Sequence, residues 1–128
     1  MANFAKLTNI KTAGTTFEGR QGKLINARTQ IQKGSDFTVM LRREPRNERD
    51  CHAIAVLLKT GDSVAKIGYV PANTAFWLSQ KMDAGKTVRA CNPTMVGGSG
   101  RATNIGVHFD IVHELDDMQT AAPAAAVM

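Results

Sequence analysis

The sequence predicts a mainly β fold: a small antiparallel barrel or curled sheet of about six strands, with one helical insertion. Three observations carry this reading. Phe37, Val39 and Leu41 alternate with Thr38, Met40 and Arg42, and Ile105, Val107, Phe109 and Ile111 recur with the same period of two. Glycine-marked turns punctuate the chain at short intervals, and only the stretch after Pro71 is read as a helix. The 128 residues suffice for one domain with a substantial core, needing neither disulfides nor a structural metal.

In chain order, Leu7, Ile10 and Ala13 mark a strand that runs into a bend at Gly14-Thr15-Thr16-Phe17-Glu18-Gly19. Residues 23–31, with Leu24, Ala27 and Ile31 among polar side chains, read as a strand or an irregular crossing. Gly34-Ser35 turns the chain into the alternating strand Phe37, Val39, Leu41. The polar, proline-containing run Glu44-Pro45-Arg46-Asn47-Glu48-Arg49-Asp50 is an exposed loop. Residues 53–58 and 64–70 are strands that form a hairpin around Gly61-Asp62. Pro71 then ends the strand, and 72–83 is a helix with Ala75, Leu78 and Met82 as its stripe and Gly85 beyond its end. Phe76 and Trp77 are expected to widen the buried arc of that helix. Residues 88–91 form a strand, Gly97-Gly98-Ser99-Gly100 a loop, and Ile105, Val107, Phe109 and Ile111 a closing strand. One domain over 1–117, followed by a disordered alanine-rich tail over 118–128, completes the organisation. Strand periodicity alone leaves an SH3-like and an OB-like barrel both open.

The charge is uneven. The chain carries 16 basic and 11 acidic side chains, but four of the acids (Asp110, Glu114, Asp116 and Asp117) lie in a terminal stretch without Lys or Arg. Residues 1–109 therefore hold a strong positive excess, which favours a polyanionic partner, nucleic acid first, as counterions are released from neutralised phosphates. No segment approaches the ~20 apolar residues of a membrane span, and the N-terminal residues carry no export-signal pattern. Cys51 and Cys91 then read as reduced thiols of a cytoplasmic protein. Cys51, His52, Cys91, His108 and His113 lack the paired spacing of a zinc site, and Cys51 reads as a small buried thiol. No phosphate-binding Gly-x-x-x-x-Gly-Lys-Ser/Thr run occurs, and the acidic residues are too scattered to argue for a metal-dependent nuclease. No cofactor and no enzymatic activity are implied.

Arg42, Arg43, Arg46 and Arg49 place four guanidinium groups around the 44–50 loop, each able to grip two phosphate oxygens. Glu44, Glu48 and Asp50 compete for them, so a loop laced with internal ion pairs is the plain alternative. Lys11, Arg20 and Lys23 flank the aromatic bend, and Arg101 follows the glycine loop as a clamp or a solubilising charge. An exposed ring stacks on a base for ~1–3 kcal/mol. Phe17 and Tyr69 are the candidate rings, while Phe76 and Trp77 are assigned to the core.

Four stretches in this order and spacing resemble the HIRAN domain: Gly14-Thr15-Thr16-Phe17-Glu18-Gly19-Arg20, Arg43-Glu44-Pro45-Arg46-Asn47-Glu48-Arg49-Asp50, Ala53-Ile54-Ala55-Val56 and Ile67-Gly68-Tyr69-Val70-Pro71. The resemblance spans 13–112. The family includes standalone bacterial and phage chains and the N-terminal module of a eukaryotic helicase-like transcription factor. It implies an OB-like six-stranded barrel with a helical insertion. It also implies binding of single-stranded DNA, with preference for a free 3′-hydroxyl end, in repair, recombination or replication. By this resemblance Phe17 is a ring beside the DNA pocket. Asp50 is the acid that accepts a hydrogen bond from the terminal hydroxyl, Asn47 a polar partner in the same loop, and Tyr69 a strand residue facing the site. Two departures bear on end recognition: Arg49 stands where end-binding members carry an aromatic residue, and Thr16-Phe17 stands where they carry two. The competing reading is a protein-interaction adaptor, docking to a helicase, nuclease or phage assembly with only non-specific affinity for nucleic acid.

Overall fold

The computed structural model describes residues 3–17, 19–98 and 104–116. Six strands and two helices follow one another as β1 (Phe4–Lys11), α1 (Arg20–Gln32), β2 (Phe37–Arg43), β3 (Ile54–Thr60), β4 (Ser63–Tyr69), α2 (Ala72–Asp83), β5 (Val88–Gly97) and β6 (Ile105–Glu114). The strands pair as two three-stranded antiparallel sheets, β1-β6-β5 and β2-β3-β4. The number of strands and the helix 72–83 match the sequence reading, but β5 runs on from residue 91 to Gly97, which that reading places in a loop; backbone pairing yields two ladders, with β2 lying beside β5 where the sheets meet.

Each strand shows in its burial why it forms. Along β6, Ile105, Val107, Phe109, Ile111 and His113 are buried, while their neighbours are half-exposed. The period of two thus places one face on the core. β3 is buried almost throughout, as a central strand covered on both faces is. Ile105, Val107, Phe109 and Ile111 of β6 and Ile54, Val56 and Leu58 of β3 join Leu24 of α1 and Leu78 of α2 in one core.

Two strands of the first sheet are bulged about one carboxylate. Asn9 and Asn92 adopt positive φ (56° and 51°), at the register breaks of β1 and β5 against β6. Asp110 on β6, between them, accepts the backbone N–H of Asn9 (2.9 Å) and the side-chain Nδ2 of Asn92 (2.9 Å). Asparagine tolerates the left-handed conformation better than most residues, and the side-chain bond from Asn92, then the backbone bond from Asn9, lower the Asp110 pKa.

Residues 20–32 correct the sequence reading: they are a helix, not a strand or irregular crossing, so the fold carries two helices. Gly19, at φ 74°, turns the chain into it. Leu24 and Ala27 face the core, and tertiary bonds hold the rest. The Gln21 side chain pairs with both backbone groups of Ile105 (2.8 Å each), and Arg28 donates to the carbonyl of Gly98 (2.9 Å).

α2 carries the second correction. Ala75, Leu78 and Ser79 are buried and Met82 is half-buried, but Phe76 is 56% and Trp77 36% exposed. The arc facing the core is narrower than the count of apolar residues implied. Cys51, read as buried, is exposed, and both cysteines are free thiols. The tail over 118–128, Arg101 and Ser99-Gly100 lie outside the described residues.

Candidate nucleic-acid interface

The β2–β3 connection is organised by short-range hydrogen bonds of a kind asparagine and aspartate favour. Asn47 Oδ1 accepts the backbone N–H groups of Arg49 (2.9 Å) and Asp50 (3.1 Å). Asp50 Oδ1 in turn accepts the N–H of His52 (2.8 Å). Two successive turns are fixed without a regular element, and they hold Arg49 and Asp50 at the edge of a cleft.

Glu44 anchors this loop from below. Its half-buried carboxylate accepts from the Tyr69 hydroxyl (2.8 Å), Asn47 Nδ2 (3.1 Å), Lys66 Nζ (3.1 Å) and the Arg42 guanidinium (3.2 Å). Burial raises its pKa, but the bonds from Tyr69, Asn47, Lys66 and Arg42 together outweigh that and bring it down to about 2. Lys66 also donates to the Tyr69 hydroxyl (3.0 Å), and its bonds to Tyr69 and Glu44 raise its pKa against the opposing effect of burial.

The opposite wall is the bend after β1. Ala13 and Tyr69 exchange both backbone hydrogen bonds (2.8 and 2.9 Å), tying the bend to β4. Gly68 makes this approach possible: a Cβ there would collide with the Ala13 carbonyl oxygen and lie 2.6 Å from Thr12 Cγ2. Arg20, the first residue of α1, is buried. It donates to the Gly14 carbonyl (2.7 Å), with its guanidinium 5.4 Å from the centre of the Tyr69 ring. The Lys66 ammonium lies 5.1 Å from the same ring.

Between these walls is an open pocket of about 410 Å³, lined by the bend, the loop, the end of β4 and the start of α2. It brings together six of the nine candidate residues: Phe17, Arg20, Asn47, Arg49, Asp50 and Tyr69. Phe17 is 53% exposed at its edge. Asp50 keeps one carboxylate oxygen without a partner among the described residues, and the side chains of Arg46 and Arg49 have none there either. Arg46 is exposed outside the lining.

Arg43 also lies away from the pocket. Its Nε and Nη2 grip both oxygens of Asp83 at the end of α2 (2.9 and 3.1 Å), and Nη1 donates to the Ala53 carbonyl (3.0 Å). The sequence reading missed Lys66, which belongs to the polar network under the pocket. A register shift between β3 and β4 leaves Ile67 as an extra residue, so Lys66 and Tyr69 meet although strict alternation would part them.

Among the described residues, no three His, Cys, Asp or Glu side chains converge where a metal ion could be held. No described helix is long and apolar enough to cross a membrane.

These features define a small, basic, β-rich domain with a surface pocket lined by two rings, two guanidinium groups and two carboxylates. A family model described as the HIRAN domain matches residues 6–116, and the chain belongs to that family. HIRAN domains are non-catalytic DNA-binding modules. A crystal structure of a protein from Lactobacillus plantarum, a structural genomics target, is similar in fold. It is 16% identical, with a TM-score of 0.50 over 88% of this chain and 99% of that one. No curated protein matches the sequence.

Proposed function

We propose that this chain binds single-stranded DNA through the pocket between the Phe17 bend and the Asn47–Asp50 loop, and that a free 3′-hydroxyl end is the preferred occupant. One observation carries the reading: exposed Phe17 borders the same cleft as Arg49 and an oxygen of Asp50 that have no partner among the described residues, although the bend that carries Phe17 is distant in sequence from their loop. Phe17 supplies a face for the terminal base, Arg49 supplies phosphate or base contact, and Asp50 accepts from a hydroxyl while repelling a terminal phosphate. Arg46 extends the positive surface, and Asn47 and Tyr69 hold the loop in the binding geometry. Such a module delivers a helicase, nuclease or other DNA-processing protein to its site.

Fluorescence-anisotropy titration tests this with one short strand ending in a 3′-hydroxyl, the same strand with a 3′-phosphate, its duplex and a matched RNA, at two salt concentrations. Preference for the hydroxyl strand, abolished by Asp50→Ala, is the expected result. Equal and strongly salt-dependent binding of every polyanion reduces the pocket to a basic surface. Absence of binding to all four moves the protein-interaction adaptor to first place.

A further inference from the structure

Phe76, one of two exposed aromatic residues on α2, is seated on the loop that borders the pocket. The ring centres of Phe76 and His52 lie 4.8 Å apart, edge to face at 67°. His52 is fixed in turn: its Nδ1 is 3.1 Å from the Oγ of buried Ser79, and its backbone N–H is held by Asp50. Phe76 is thus held against a fixed imidazole, with 56% of its surface open. An aromatic residue that the core does not use, but that a hydrogen-bonded loop positions, is a built surface rather than an incidental one.

Its location follows from helix geometry. Ala72 lines the pocket, and Phe76 is four residues later on the same face, about 6 Å along the axis. The face continues to Asp83, about 16 Å from Ala72, where Arg43 neutralises the carboxylate through two hydrogen bonds. α2 contains no acidic residue before Asp83. A strand leaving the pocket along this helix meets a ring within one turn, no unpaired carboxylate of α2, and on the adjoining loop the guanidinium groups of Arg46 and Arg49, which have no partner among the described residues and outnumber the one exposed carboxylate between them, Glu48.

We propose that Phe76, seated on His52, is a second base-stacking platform, one helical turn from the pocket, for the nucleotide next to the terminal one. The inference rests on the single-strand reading above and extends its footprint from the end itself to the strand behind it. Trp77, adjacent in sequence, lies edge-on to His113 (5.1 Å between ring centres) and borders a separate hollow with Lys81 and Lys86. It is not part of this track.

The test is a walk of a single 2-aminopurine through a short thymidine strand with a 3′-hydroxyl, read as fluorescence quenching on binding to the wild-type protein, Phe76→Ala, Phe76→Leu, Trp77→Ala and Phe17→Ala. Wild type is expected to quench at the terminal position and again at an internal one. Phe76→Ala and Phe76→Leu lose the internal signal and keep the terminal one, with affinity about tenfold weaker for the alanine variant. The leucine variant keeps an apolar side chain at an exposed position, so it separates loss of the ring from loss of structure. Trp77→Ala leaves both signals in place, and Phe17→Ala removes the terminal one. Unchanged internal quenching in both Phe76 variants, with the terminal signal present, overturns the platform and leaves the pocket standing. A wild-type protein that binds no strand overturns both.

Discussion

Replacing Glu44 by glutamine tests whether the carboxylate beneath the pocket acts through its charge. Glutamine keeps one acceptor oxygen for Tyr69 and Asn47 but removes the negative charge facing Lys66 and Arg42. In the folded protein the Glu44 pKa lies at about 2, against an ordinary value of 4.5. A displacement of that size is linked to ~3 kcal/mol of stability. The Arg42 and Lys66 side chains are 55% and 31% exposed, so solvent screens their share, and about 1–2 kcal/mol remains. Because the folded-state pKa is depressed, this contribution is fully present above pH 4.5 and is lost as pH falls towards 2. Urea unfolding followed by the fluorescence of Trp77, the only tryptophan, measures it. At pH 7 the variant should unfold about 0.5–1 M urea earlier than wild type. As pH falls below 4.5 the two curves should converge, because wild type loses by protonation what the variant already lacks. A difference that stays the same from pH 7 to pH 2.5 would refute the charge-based account and leave only the shape of the side chain.

Three further outcomes follow from particular contacts. Gly68→Ala should push the Ala13 segment off β4, cost about 1–3 kcal/mol in thermal or urea unfolding, and weaken strand binding beyond what the stability loss explains. His113 is buried, its Nδ1 has no partner among the described residues, and burial followed by the nearby Lys81 charge lowers its pKa against the opposing pull of Asp116. Its contribution is therefore complete above the ordinary value of 6.5 and declines as pH falls below it, so His113→Phe should flatten the stability profile on the acid side of 6.5. The exposed Cys51, between Asp50 and His52, should react with a thiol reagent faster than half-buried Cys91, and a bound strand should slow the labelling of Cys51 alone.

What the sequence made legible follows from how local each feature is. The limits of α2 were readable because Pro71, the Ala75–Leu78–Met82 spacing and Gly85 all act within a few residues. α1 was hidden although Leu24, Ala27 and Ile31 do have helical spacing. Gly22 interrupts the run, most of the remaining side chains are polar, and the helix is held by distant bonds from Gln21 to Ile105 and from Arg28 to Gly98. Phe76 and Trp77 were assigned to the core because large rings on a helix are usually buried. Yet α2 turns Ala75, Leu78 and Ser79 inward, and no sequence signal fixes where so narrow an arc ends.

The same division runs through the site. The Arg43–Asp50 loop carries its turn chemistry within itself: the Asn47 and Asp50 side chains each close a bond to backbone two or three residues ahead, so its shape can be read from residue order. The pocket cannot, because its depth depends on two events far apart in the chain. Gly68 must admit the Ala13 backbone against β4, and the extra residue at Ile67 must bring Lys66 beside Tyr69 so that the floor is charged and fully bonded. A loop of this sequence without that floor would leave Asn47 and Glu44 without Tyr69, and Asp50 without a cavity to face. The proposed binding surface is then a property of the β4 bulge as much as of the arginines. Substitutions at Gly68 or Lys66 should reduce strand binding even though neither residue lines the pocket.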